Sequence, residues 1–542
     1  MPEVVQAAVD RRSPEVTSPA RRRAYLGYDP RLEDLSRDED FSPAMKWIIA
    51  LPRSRAAQNG ALPPTQNYSV PLQPHTTDWS AAHLRHLFGR TSFGVSVAEV
   101  KALSSLSRED LLNNLLAEAP QPDPPGVWTT EPFDREVYAR LSSEEKQAWQ
   151  RQNRQRLNEM RGWWLALMLV PLYNLRERMT YFWHNHFTSD IRTVQLAQFV
   201  YLQNAAWRQH ALGNFRTFLQ AMYRDPAMLI YLDGASNNAR QPNENFAREL
   251  LELFTMGVGH YIEDDIQAAA RAFTGWQADS INLTSAFNQR RHDAGSKTFM
   301  GKTGNFNGDD IIDMILEQPV TAEFMCRKLC REFLNREVKD EFVQQLAQTF
   351  RVHDYELEPV LRELFGSEIF YGDQATGALI KSPIEMAAGN ARMLAVARIN
   401  LRYVLSASAE LNQDLLNPPN VAGWPGQRDW ISPTTFVGRN AFSETFILGG
   451  TLDNPGGNNG LAPLDVMAFA RSFGQTQAQP LAQAMTEHLL AVPPAKETSA
   501  ALLTVLVGSA DPEDWSLDYP GAEEQVKNFL IALVRQPEFH LM

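Results

Sequence analysis

Period-two alternation of apolar and polar residues, the mark of a half-buried strand, is scarce along this chain of 542 residues, and that scarcity limits the fold more than any other feature. Amphipathic segments at helical spacing run in its place. WSAAHLRHLFGRTSFG reads as a helix closed by Gly89 and Gly94, Ser96 caps VAEVKALSSL, and Ser107 caps REDLLNNLLAE. A long polar helix over 142–161 runs into the apolar WWLALMLV. Helices are expected at 174–187, 192–209, 213–223, 242–256, 264–274, 308–317, 320–334, 338–352 and 356–365, and again at 464–473, 480–491, 498–507 and 522–535. The fold class is all-α: a large irregular multi-helix domain, with a loop-rich segment near 400–460 marked by Pro418, Pro419, Gly423 and Pro425. No fixed-period repeat is present, which argues against a solenoid.

The length calls for one large or two intimately packed domains. The expected division is a weakly ordered extension over 1–75 and a helical domain over 76–542, with a possible sub-boundary at 400–460. A short helix is expected at 43–51, docked on the main body. The net charge of −13 argues against a nucleic-acid partner, which would need a basic face to displace phosphate counterions. No apolar run reaches the roughly 20 residues of a membrane span. The N-terminal arginines are not followed by an apolar stretch, so the default location is the cytoplasm. The two cysteines, Cys326 and Cys330, share one face of a helix and read as small buried apolar residues, or as half of a metal or redox pair.

The densest polar run is PNENFARELLELFTMGVGHYIEDD, from Pro242. At about 100° per residue, Glu249 and Glu252 fall close to Asn245 on one stripe, opposite Phe246, Leu250 and Phe254. Gly257 suits a left-handed helix stop, and Asp264 or Asp265 can cap the next helix. Two carboxylates one turn apart can chelate a hard cation, or one can act as a base that the other orients. The plainer reading is a solvated acidic face helped by a Glu244–Arg248 pair.

A second patch, FWHNHF, holds His184 and His186. In an unbroken helix these diverge by about 200°, too far to bind one ion together. They act as ligands only if the backbone extends there; otherwise one faces a cleft while the other packs on Trp183. A third cluster follows Arg290, with His292, Asp293 and Lys297 in a glycine-bearing loop that is either a cleft loop or a surface turn. Gly301-Lys302-Thr303 is not a phosphate loop, because Ser296 stands where that motif needs glycine and no convincing strand precedes it. The chain has no G-x-S-x-G, H-E-x-x-H or G-x-G-x-x-G.

The segments HLFGRTSFG, RERMTYFWHNHFTSD, ALGNFRTFLQAMYRDPAMLIYLDG, PNENFARELLELFTMGVGHYIEDD, ARAFTGW, HDAGSKTFMG, KSPIEM and NPPNVAGWPGQRDWIS occur in one order. They resemble the domain-of-unknown-function 1800 family, from about His83 to the C-terminus. The resemblance implies a bacterial protein, exported in many members and often encoded beside a partner with a sulfatase-like fold. It adds weight to His184, His186, Asp233, Asn245, Glu249, Glu252, Asp265, Arg271, His292, Asp293 and Lys297, which lie in the matching segments.

Two functions are consistent with these patterns. In a metal-dependent hydrolase, His184 and His186 with Glu249 and Glu252 would hold a divalent cation that activates water, His292 and Asp293 would complete the cleft, and Lys297 or Arg271 would stabilise developing charge. In a non-catalytic helical scaffold, the same clusters would be buried networks that fix helix register, and Trp424 and Trp430 would form an aromatic contact surface or a turn packed on the core.

Overall fold

A computed structural model describes residues 74–75, 79–171, 174–396, 398–457 and 460–542. The extension over 1–73 and its expected 43–51 helix lie outside the described residues. The fold is all-α, relieved only by three two-stranded antiparallel pairs among the described residues. One cluster of buried apolar side chains runs from Leu84 to Phe539. A smaller one joins Ile380, Trp424, Trp430 and Leu541.

The predicted Ser96 and Ser107 caps operate, and Ser142 caps in the same way; Asp264 and Asp265, expected to cap, lie inside a helix that begins at Glu263, and the first helix runs past Gly89 to Thr91. The hydroxyls of Ser96, Ser107 and Ser142 each accept from a backbone N–H in the first turn of the helix that follows, and Glu99 and Glu145 close capping boxes. The Ser143–Met168 helix continues through WWLALM, burying Trp164 and Leu165. It packs on the Asn174–His186 and Ala197–Gln209 helices, which also pack on each other. Asn174–His186 further touches the Ala81–Thr91 and Arg108–Leu116 helices, so this 13-residue segment sits at the centre of the first half of the chain.

The structure departs from expectation in three places. The 400–460 region holds two helices, Leu401–Glu410 and Pro433–Leu448, capped by Asn400 and Ser432; the prolines and glycines between them mark a local loop. The expected 242–256 helix is α only over Asn245–Glu249 and widens into a π turn over Leu250–Thr255, with Gly257 following at φ +82°. GKT proves to be part of a hairpin: Lys297–Phe299 pairs with Lys302–Gly304 across Met300 and Gly301, both at positive φ, the backbone of a type I′ turn. Cys326 and Cys330 are free and buried, as the plainer reading holds.

Candidate functional site

The residues singled out by sequence occupy separate settings. The Asn174–His186 helix is unbroken, so its two histidines leave on different faces. His184 is fully buried among the rings of Trp164, Trp207 and Trp424, with centroids 5.0–5.3 Å away, and neither ring nitrogen has a hydrogen-bond partner. Burial alone lowers its pKa to about 3, which keeps the imidazole neutral. His186 lies edge-on to Trp183 at 5.4 Å. Its Nε2 is 3.1 Å from the Phe254 carbonyl and its Nδ1 is 2.9 Å from Lys328 Nζ.

That contact lies at the end of the π turn. The last carbonyls of a helix lack intrahelical partners; here Lys328 donates to Leu253 O at 3.0 Å and His186 takes Phe254 O. The change of pitch also ends the 100° stripe at Leu250. Glu249 and Glu252 still influence each other: the Glu249 carboxyl is raised, first by desolvation and then by Glu252. Tyr261 donates its hydroxyl to Glu252 at 3.2 Å. Both carboxylates are half-buried, while His260 is exposed.

The His292–Asp293 loop is pinned from below by the Glu263–Ala272 helix. Arg271 donates to both Asp293 oxygens, at 2.7 and 3.2 Å, and to Ser296 O at 3.1 Å. The guanidinium is the main reason the Asp293 carboxyl is lowered. His292 Nδ1 meets Thr274 O at 3.0 Å. Lys297 is buried and donates to the carbonyls of Asp293 and Gly295, at 2.5 and 3.0 Å. Asp265 takes Ile262 N–H at 3.0 Å and Met300 N–H at 2.7 Å, tying the helix start to the hairpin turn. Asn245 donates to Asp233 at 3.0 Å.

The residues expected to converge on one cation face different neighbours. His184 faces indoles, His186 has both nitrogens engaged by Phe254 and Lys328, and Asp293 is held by Arg271. Among the described residues no group of three or more His, Cys, Asp or Glu is placed to hold a metal ion.

A polar recess that sequence reasoning missed lies on another face of the same central helix. Arg178 is buried between Glu385, to which it is ion-paired, and Glu332, 2.9 Å away, and its Nε donates to Arg90 O at 3.1 Å. Tyr181 shares a hydrogen bond with Ser382 at 2.8 Å and accepts one from Gln413. Ser382 and Glu385 form the capping box of the Pro383–Met393 helix, a signal readable in KSPIEM. Asn185 accepts from Trp424 N–H at 2.7 Å and donates to Trp424 O at 3.3 Å. These groups, with Gln427 and Trp430, surround a volume of about 60 Å³. Trp424 and Trp430 are each 6% exposed, so they form a packed turn, as one reading had it, and not an open contact surface. Three of the segments that carry the resemblance, RERMTYFWHNHFTSD, KSPIEM and NPPNVAGWPGQRDWIS, meet at this recess.

Fold and site together define a large helical protein organised around one polar-faced central helix. The chain belongs to the family described as protein of unknown function (DUF1800), whose pattern matches residues 86–541. No curated protein and no solved structure matches it. Among the described residues no helix is long and apolar enough to cross a membrane.

Proposed function

We propose that this protein works as a non-catalytic helical scaffold, a partner for another protein, and not as a metal-dependent hydrolase. The observation that carries this reading is the use made of the Asn174–His186 helix. Glu177 pairs with Arg208, Arg178 with Glu332 and Glu385, and Tyr181 with Ser382. Trp183 donates to Ala211 O at 3.1 Å, Asn185 holds Trp424, and His186 holds the π turn. These side chains tie the helix to several neighbouring elements, which is how a buried network sets helix register. The clusters expected to do chemistry tie loops to helices in the same way. The family resemblance names the class of partner: a protein with a sulfatase-like fold, encoded nearby.

The test is metal analysis of the purified chain, with Glu249→Ala and His186→Ala beside it, and co-purification with that sulfatase-like-fold protein expressed in the same cells. The scaffold reading expects no stoichiometric metal and a stable complex. Bound metal that both substitutions remove would overturn it.

One observation favours a second reading, in which Glu249 and Glu252 act as an acid–base pair. They flank the start of a π turn, a distortion often kept at functional sites, and desolvation holds Glu249 above the usual carboxylate range. Hydrolytic activity lost in Glu249→Gln with unchanged melting temperature would establish it.

A further inference from the structure

We propose that the recess beside Arg178 binds the hydroxyl-bearing end of a neutral sugar or polyol. The inference rests on its walls. The Arg178 guanidinium faces two carboxylates, Glu332 and Glu385, and the buried Arg90 behind it interacts with both, so these charges stand two against two and neither sign dominates the lining. The other polar groups lining it are hydroxyls and amides: Tyr181, Ser382, Asn185, Gln413 and Gln427. Beyond the bonds they make within the protein, the Asn185 and Gln427 amides keep N–H donors and the Glu332 carboxylate keeps acceptor sites, a mixed set that matches a ligand whose polar groups can do both, as a hydroxyl does. Trp424 and Trp430, packed into the wall, supply apolar aromatic surface beside these groups, suited to the C–H groups of the entering end. About 60 Å³ is room for a few water-sized groups, hence for a diol or hydroxymethyl end and not for a whole ring.

The recess is built before any ligand arrives. Asn185 fixes the Trp424 peptide, and Gln427 accepts from Ile380 N–H at 2.8 Å. Gln427 itself sits at φ +55°, a left-handed conformation that a side chain adopts at some cost and that the surrounding bonds enforce. The Glu332 side chain, 24% exposed, marks the side open to solvent. Of the cations behind the walls, Lys381 donates to Phe539 O at 2.7 Å, and Arg439 donates to Lys381 O at 2.7 Å through one of its three nitrogens, Nε and Nη1 being buried without a hydrogen-bond partner.

The experiment is ligand-detected saturation-transfer NMR with calorimetry on the full chain. The probes are glucose, galactose and N-acetylglucosamine, with tetramethylammonium chloride and sodium phosphate as charged comparisons. A sugar is expected to bind with a Kd on the order of millimolar, weakened about tenfold or more in Glu332→Gln and in Gln427→Ala at unchanged melting temperature. Trp430→Ala should abolish binding, but it also opens the small apolar cluster, so the two polar variants decide. Silence from all three sugars, binding of a charged probe alone, or sugar binding that neither polar variant weakens would overturn the proposal. Each of these outcomes leaves the scaffold reading untouched, because that reading is tested by metal content and by the partner complex.

Discussion

The Lys328 ammonium lies 2.9 Å from His186 Nδ1 and 3.0 Å from the Leu253 carbonyl. While Lys328 is protonated it only donates, so Nδ1 accepts, and the proton of His186 sits on Nε2, facing Phe254 O. One lysine thereby fixes a tautomer and closes the end of the π turn. Lys328→Met should leave Leu253 O and His186 Nδ1 without this donor and destabilise the protein by about 1–3 kcal/mol. Hydrogen exchange should quicken first over 250–257, the segment the lysine closes. Unchanged exchange there would show that the turn holds itself.

The same lysine sets a pH dependence at the alkaline end. Desolvation lowers Lys328 to about 7, and Lys381 likewise to about 7, from an unfolded value near 10.5. Between about 7 and about 9 the unfolded chain binds more protons at these two groups, so they raise stability with pH; above about 9 the Cys326 and Cys330 thiols, raised by burial, act in the opposite sense. Denaturant titrations across that window should show the rise in the wild type and a shallower one in Lys328→Met. A flat wild-type profile would mean that these ammonium groups are hydrated in the folded protein.

At the acid end the buried histidines act together. His184 and His86 are lowered to about 3 and His488 to about 4, each chiefly by burial. Their contribution is complete above about 6.5 and is lost progressively as pH falls toward the folded values, because the unfolded chain takes up the protons first. His184 has no polar partner to lose, only three indoles around it. His184→Phe should therefore flatten the stability profile between pH 4 and about 6.5 at a modest packing cost. A profile as steep as the wild type would place the acid-sensitive groups elsewhere.

Gly423 makes a sharper prediction. A Cβ there would lie 2.3 Å from Asn185 Oδ1 and 2.7 Å from Asn185 O, and the backbone sits at φ +79°. Gly423→Ala should cost more than Asn185→Ala, because it adds strain and a clash to the loss of the Asn185–Trp424 bonds. A double variant close to Gly423→Ala alone in stability would confirm that the two act on one contact. Additive losses would show that they are independent.

Much of this arrangement was legible in sequence, for stated reasons. Capping serines, helical spacing and the Gly257 stop are local signals, and local physics decides them. The divergence of His184 and His186 followed from helix geometry alone. The π turn was not legible: its last carbonyls are met by Lys328 and His186, from two other elements that nothing local in the segment announces. The recess was missed for the same kind of reason. Arg178, Glu332, Glu385 and Trp424 come from four segments, and nothing local in any one of them announces the other three. The Leu401–Glu410 and Pro433–Leu448 helices were masked by the Pro- and Gly-rich loop between them.

The last prediction separates anchoring from chemistry in the His292–Asp293 loop. Lys297 is buried, and its ammonium donates only to the carbonyls of Asp293 and Gly295, while Arg271 holds the Asp293 carboxylate from the helix side. Lys297→Met removes two charge-assisted bonds to the backbone and should cost about 1–3 kcal/mol. Arg271→Ala should cost less, about 1 kcal/mol, because that pair is partly open to solvent, which screens it. Both should speed hydrogen exchange over 292–304 while leaving the Asn174–His186 helix protected, because the loop is tied to the Glu263–Ala272 helix and not to the central one. An anchor that matters for stability gives this order, Lys297 before Arg271. A catalytic pair would instead leave stability and exchange close to wild type in both variants and show its loss only in turnover.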